Sequence, residues 1–240
     1  MIKNFYKNFR KRTLFVKSKN LFYKFLRPRF LYFLFQKKKP LSNIYGAERG
    51  IPLDRYYIEN FLENNKQFIK GHCLELLNND YTTKYGGKKV VKSDILDIDK
   101  NNMKANIFAD IKDLHIIKDQ SYDCAILTQV LQFIDDYDLA VKECYRILKH
   151  GGVLLVTLPS ISRIDCASGL EGDYWRFTVA SAKYIFGKFF ELKKIEINSY
   201  GNALTGLYFW IGASQQELSK KKLNYIDKNF PTLITLKAVK

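Results

Sequence analysis

No apolar run in this 240-residue chain approaches the roughly 18 residues that a membrane-spanning helix needs. The longest near its start is only Phe30 to Phe35. Cysteine is scarce: Cys73, Cys124, Cys144 and Cys166 form no CxxC pair, and three of them fall in expected core elements. That argues against a disulfide scaffold or a zinc site and for a reducing compartment. No GxGxxG follows a strand, so the dinucleotide fingerprint is missing. The start also has no small-residue cleavage site, and its lysines are mixed with aromatics, unlike a secretory signal.

One further absence is local. Residues 1–40 contain 13 Lys or Arg and no Asp or Glu, whereas the other 200 residues carry 27 basic and 24 acidic side chains. So +13 of the formal +16 lies in the first sixth of the chain. This predicts a basic, aromatic extension (1–40) and a nearly balanced folded domain (41–240). Ile2, Phe5, Tyr6 and Phe9 match a helical stripe, as do Leu21, Phe22, Phe25 and Leu26, with Pro28 interrupting. A cationic face with aromatic stripes suits an anionic membrane surface or docking on a partner protein. A nucleic-acid contact fits less well, because such a binder usually carries its basic surface onto the folded domain too.

What is present is an alternation of short apolar runs with amphipathic stretches. Tyr122 to Leu127 and Val153 to Leu158 are almost continuously apolar, as strands buried on both faces of a parallel sheet are. Between them Leu139, Val141, Cys144, Ile147 and Leu148 fall near helical spacing, and Gly151 is expected to close that helix. Further strands are predicted at Cys73–Leu76, Lys89–Lys92, Asn106–Ala109, Glu191–Ile197 and Leu233–Val239. Helices are predicted at Asp54–Ile69, at Val179–Phe189 with Thr178 as cap, and at Ala203–Leu218. The fold class is therefore α/β, with seven strands.

In such sheets the ligand site lies beyond the carboxyl ends of the strands. There the sequence offers Glu75 running into Asn78-Asn79-Asp80, then Asp94, Asp110 and Thr128-Gln129 after successive strands. A carboxylate after strand two can accept both ribose hydroxyls, and one after strand three an adenine amino group. The pattern suits a nucleoside ligand. All three histidines (His72, His115, His150) precede strands and fall at the opposite edge.

These residues resemble the class I S-adenosylmethionine-dependent methyltransferases, type 11. The resemblance covers about residues 45–240 and rests on GAERGIPLDRYYIENFL, CLELLNNDYTTKYGG, VVKSDILDID, CAILTQVLQFIDD, YRILKHGGVLLVTLPSIS, GDYWRFT and the closing LKAVK. It is nearest to a bacterial branch found with glycosyltransferases of surface-polysaccharide synthesis. It implies a Rossmann-like seven-stranded sheet, mostly parallel with the last strand antiparallel, and S-adenosylmethionine as cofactor. Carried over, Glu75 lies beside the methionine part with Leu77 and Asn78, and Asp94 holds the ribose, with Asp99 competing. Asp110 and Ile111 hold the adenine, and Thr128 and Gln129 form the floor. No metal is implied. One departure stands out: where the family has Glu-Ile-Gly, this chain has Glu75-Leu76-Leu77, a leucine in place of the glycine that lets backbone approach cofactor.

The segment after strand five, 160–176, lies at the same end. It offers Asp165, Glu171 and Asp173 as general bases, with Asp165 and Asp173 preferred, and Tyr174, Trp175 and Arg176 to stack on a sugar or clamp an anion. Arg55, Tyr56 and Tyr57 are placed to close over the cofactor. The resulting expectation is an enzyme that methylates a hydroxyl of a glycan, glycolipid precursor or related small molecule. It would be cytoplasmic and peripheral at the inner membrane face, with a membrane or glycosyltransferase partner for residues 1–40. Two alternatives stay open: a catalytically degenerate partner module, made plausible by Leu77, and an RNA methyltransferase using the basic tail.

Overall fold

A computed structural model describes residues 38–240; apart from residues 38–40, the basic extension expected at 1–40 lies outside the described residues. The compact unit runs from Leu41 to Lys240. Its elements in chain order are α1 (Leu53–Asn64), β1 (Gly71–Leu76), β2 (Val90–Asp97), β3 (Ile107–Phe108), β4 (Tyr122–Thr128), α2 (Tyr137–Ile147) and β5 (Leu148–Pro159). After these come α3 (Gly169–Gly172), α4 (Val179–Phe186), β6 (Ile195–Tyr200), α5 (Ala203–Trp210), α6 (Lys220–Asn224) and β7 (Leu233–Val239).

The seven strands form one sheet in the order β3-β2-β1-β4-β5-β7-β6. β1 to β5 pair parallel, and β7 lies antiparallel between β5 and β6. Strand order reverses between β1 and β4, so a crevice opens at their carboxyl ends. The sheet is buried on both faces because its strands are apolar at successive positions. On β4, Ala125 and Leu127 join one core with α2 and α4, while Cys124 and Ile126 join the other with α1. On β5, Leu154 and Val156 alternate in the same way with Val153 and Leu155. No helix among the described residues is long and apolar enough to cross a membrane.

Local chemistry sets several ends. Asp136 caps α2 by accepting from the Leu139 N–H. Thr178 and Ser181 form a reciprocal capping box on α4. Gly151 does not close α2 as expected: the helix ends at Ile147, and Gly151 (φ 76°) sits inside β5, where the pairing with β4 slips. The helix expected to reach Leu218 stops at Trp210, followed by Gly212 at φ 78° packed against the Ser42 backbone. β6 begins at Ile195 rather than Glu191, after a tight turn at Leu192–Lys194. The difference that bears on the site is β2, which continues five residues past the expected Lys92, to Asp97.

Candidate active site

That extension moves the site. In register, Asp94 lies opposite Leu74 in mid-strand, whereas Asp97 comes one residue after the pair Leu76–Leu96 at the carboxyl end. Asp94 is 2 % exposed and accepts hydrogen bonds from Asn106 Nδ2 (2.8 Å), Lys92 Nζ (3.1 Å) and the Tyr122 hydroxyl (2.9 Å), and bonds His72 Nε2 (2.6 Å). Burial alone would raise its pKa, but those bonds outweigh it and hold the carboxyl at about 2. Asp94 is thus a structural hub toward the amino-terminal side and does not line the cavity at the carboxyl ends. Asp97 stands at the carboxyl end and lines that cavity. The sequence reading missed it because Ile95-Leu96 lay beyond the expected strand end, although continuing the apolar run would have reached it.

A cavity of about 780 Å³ opens at the carboxyl ends of β1 to β4, toward the upper end of the usual range for small-molecule sites. One end is lined by Leu76, Leu77, Asp97, Ile98, Asp110 and Ile111, its floor by Thr128 and Gln129. Each Asp97 oxygen accepts one bond, from the Asp99 N–H (2.9 Å) or Asn102 Nδ2 (2.6 Å), leaving lone pairs for a ligand. Asp99, the competing candidate, accepts instead from the Asn101 backbone and side chain and does not line the cavity. Asp110 accepts from the Lys112 N–H, and Lys112 Nζ bridges toward Asp135.

Leu77 lies at φ 68°, in the left-handed region that glycine enters freely. The backbone path of the glycine is therefore kept, and the side chain stands 58 % exposed at the cavity wall. Gln129 (φ 56°) and Tyr45 (φ 58°) are strained in the same way and also line the cavity. Three of the four non-glycine residues with positive φ among the described residues thus border this cavity. Such strain gathers at ligand sites, where the surrounding structure enforces it.

Two other expected cofactor residues do not line the cavity. Glu75 turns into the fold and accepts from the Tyr81 and Thr82 N–H groups, and burial pushes its pKa up to about 6. Asn78 accepts from the Asp80 N–H in the loop after β1. On the opposite wall stand Asp54 and Arg55 from the first turn of α1. Asp54 is 7 % exposed, its Oδ1 has no hydrogen-bond partner, and burial raises its pKa. Arg55 bonds the Tyr81 hydroxyl. Asp54 was not singled out in the sequence, and neither was Tyr45. Tyr57 and Tyr56 are occupied in packing on the Leu223 carbonyl and the Asn224 side chain.

The third wall is the segment after β5. Asp165 and Asp173 both reach the cavity, yet both are engaged. Arg176 grips Asp173 through two nitrogens (2.6 and 2.9 Å), and the Asp165 N–H adds a third bond. Burial opposes the charge of Asp173, but Arg176 overcomes it and lowers the pKa. Asp173 is therefore a buried ion-pair partner and not a free base, and Arg176 is spent on it, not left to clamp an anion. Asp165 Oδ1 accepts from the Tyr45 hydroxyl (3.2 Å), and Oδ2 from the Ala167 and Ser168 N–H groups. Trp175 donates to the Ile134 carbonyl (2.8 Å) and packs edge-on against Tyr137, away from the cavity. Only Tyr174 of the three expected substrate residues lines it, half exposed.

Residues 73–156 match the family model described as a methyltransferase domain. Among solved structures, the chain resembles a SAM-dependent methyltransferase from Archaeoglobus fulgidus (14 % identity, TM-score 0.52, covering 87 % of this chain and 99 % of that one). It also resembles a possible histamine N-methyltransferase from Thermotoga maritima (15 %, TM-score 0.51, 92 % and 99 %). A third is phosphoethanolamine N-methyltransferase 2 of Haemonchus contortus, solved with S-adenosyl-L-methionine (15 %, TM-score 0.51, 76 % and 52 %), of which the chain spans about half. No curated protein matches the sequence significantly. The fold is thus the one these solved methyltransferases share, and within it residues 73–156 match a methyltransferase domain.

Proposed function

We propose that the protein transfers the methyl group of S-adenosylmethionine to a hydroxyl of a glycan, a glycolipid precursor or a related small molecule. The observation that carries the cofactor assignment is the free acceptor capacity of Asp97 at the end of β2, facing the same cavity as Asp110 and the Leu77 turn. The residues fit such a group along its length. Asp97 takes the ribose hydroxyls, and Asp110 the adenine amino group, with Ile98 and Ile111 as apolar walls. Asp54 and Arg55 supply opposite charges at the far wall, matching the ammonium and carboxylate of the amino-acid end.

Bound there, the cofactor supplies an already activated methyl group, so much of the rate can come from positioning the acceptor in line. The acceptor wall combines the rings of Tyr45, Tyr174 and Phe209 with the short polar side chains Ser162 and Ser168. Rings beside hydroxyl groups suit a sugar. Asp165 keeps acceptor capacity on Oδ1 and is the base of this reading, while Asp173 holds the loop that presents it. The surface-polysaccharide setting rests on the GDYWRFT and RYYIENFL motifs.

The test is incubation with isotopically labelled S-adenosylmethionine and a panel of sugar nucleotides and lipid-linked saccharides. Label in a saccharide O-methyl group is expected, and Asp165→Asn should lower kcat at least about 100-fold while cofactor binding persists. Label only in amines or RNA added to the same panel, and none in any saccharide, would reject the glycan or small-molecule hydroxyl as acceptor.

A further inference from the structure

The connection from Ser219 to Pro231 carries a feature that the active site does not use. It contains Lys220, Lys221, Lys222 and Lys228 against the single acid Asp227. The rest of 41–240 then holds 23 basic and 23 acidic side chains, so the whole basic surplus of the folded unit is concentrated in 13 residues. All four lysines are exposed. Between and beside them Tyr225, Ile226 and Phe230 stand 64 %, 46 % and 55 % exposed.

The backbone beneath is fixed. Leu223 is buried as an anchor, and its carbonyl accepts from the Tyr57 hydroxyl (3.0 Å). Asn202 Nδ2 donates to the Lys222 and Tyr225 carbonyls (2.9 and 2.7 Å), and the Asp227 N–H to the Gly201 carbonyl (2.9 Å). A segment held this tightly could bury its apolar side chains inward at little conformational cost, yet it presents three of them outward among lysines.

We propose that this face docks on an anionic phospholipid surface. The lysines meet headgroup phosphates, and Tyr225, Ile226 and Phe230 enter the headgroup boundary, the arrangement of an interfacial anchor. Charge complementarity alone would also admit RNA. Ile226, however, has no ring to stack on a base and gains burial at a bilayer, and the positive charge is all lysine with no arginine to stack or fork on bases. The extension 1–40 has the same basic-aromatic composition, and each further lysine near an anionic leaflet adds to the attraction.

The test is flotation of the full chain with phosphatidylcholine vesicles, with and without 30 % phosphatidylglycerol, comparing wild type, K220E/K221E/K222E and Y225S/F230S. Thermal unfolding would show that each variant is folded. The charge-reversed variant is expected to partition into anionic vesicles at least about tenfold less than wild type at low salt, an effect that fades as salt rises. The Y225S/F230S variant should lose partition severalfold at salt concentrations where the first effect is screened. Wild-type partition in both variants would overturn the proposal and leave all binding to the extension. In a parallel filter-retention assay with single-stranded RNA, loss of RNA binding by K220E/K221E/K222E with its vesicle partition intact would overturn it as well.

Discussion

Leu77 occupies the left-handed conformation of a glycine without being one, as one of three such residues bordering the cavity. An L-residue in that region costs about 1–2 kcal/mol, and glycine gives back about 0.5–1 kcal/mol in chain entropy. Leu77→Gly should therefore stabilise the protein by roughly 0.5–1 kcal/mol in urea unfolding. Leu77→Val should destabilise it, since a β-branched side chain suits that conformation least. Asp94 makes the opposite kind of prediction. Its folded pKa of about 2 lies below the ordinary value of 3.8, so its stabilisation is present above pH 4 and is lost as pH falls toward 2. In Asp94→Asn that part of the acid-induced loss should vanish from unfolding curves between about pH 4 and pH 2. An unchanged acid slope would show that the four-partner network does not favour the charged form.

At the scale of elements, the segment after β5 behaves as a brace. Arg176 forks onto Asp173, Asp173 holds the Asp165 backbone, and Asp165 reaches across to Tyr45. Removing the cation leaves a buried carboxylate unpaired, so Arg176→Ala should cost about 3 kcal/mol in denaturant unfolding. Arg176→Lys should recover only part, because an ammonium cannot reproduce the two-pronged contact. Which of these elements the sequence could reveal follows from how each is stabilised. β7 matched its expected bounds, Leu233–Val239, and β4 was expected to within a residue, because continuous apolar runs between polar turns admit few other readings. β2 was cut short because Lys92-Ser93-Asp94 interrupts its pattern, and the physical reason is tertiary: His72, Asn106 and Tyr122, distant in sequence, bury Asp94. α5 was overextended because Ala203 to Leu218 is apolar enough for a helix, whereas Gly212 must turn against Ser42, which lies about 170 residues earlier.

For the molecule as a whole, the strand order and the reversal between β1 and β4 place the cavity; its position beyond the carboxyl ends of the strands was legible from the alternation of elements, whereas the order of the strands was not. Of the carboxylates read at strand ends, Asp110 lines the cavity, Asp94 does not, and Asp97 was found only once β2 had its true length. Glu75 and Asp173 could not be assigned from sequence because their partners, the N–H groups of Tyr81 and Thr82 and the fork of Arg176, depend on the folded path. The account therefore turns on one claim, that S-adenosylmethionine binds in this cavity through Asp97 and not Asp94. Titration calorimetry of S-adenosylmethionine into wild type, Asp97→Ala and Asp94→Asn tests it directly. The expected result is binding by wild type and by folded Asp94→Asn, with a loss of about 100-fold in Asp97→Ala, from two hydrogen bonds to a charged group. Undiminished binding by Asp97→Ala, or no binding by the folded wild type, would contradict it.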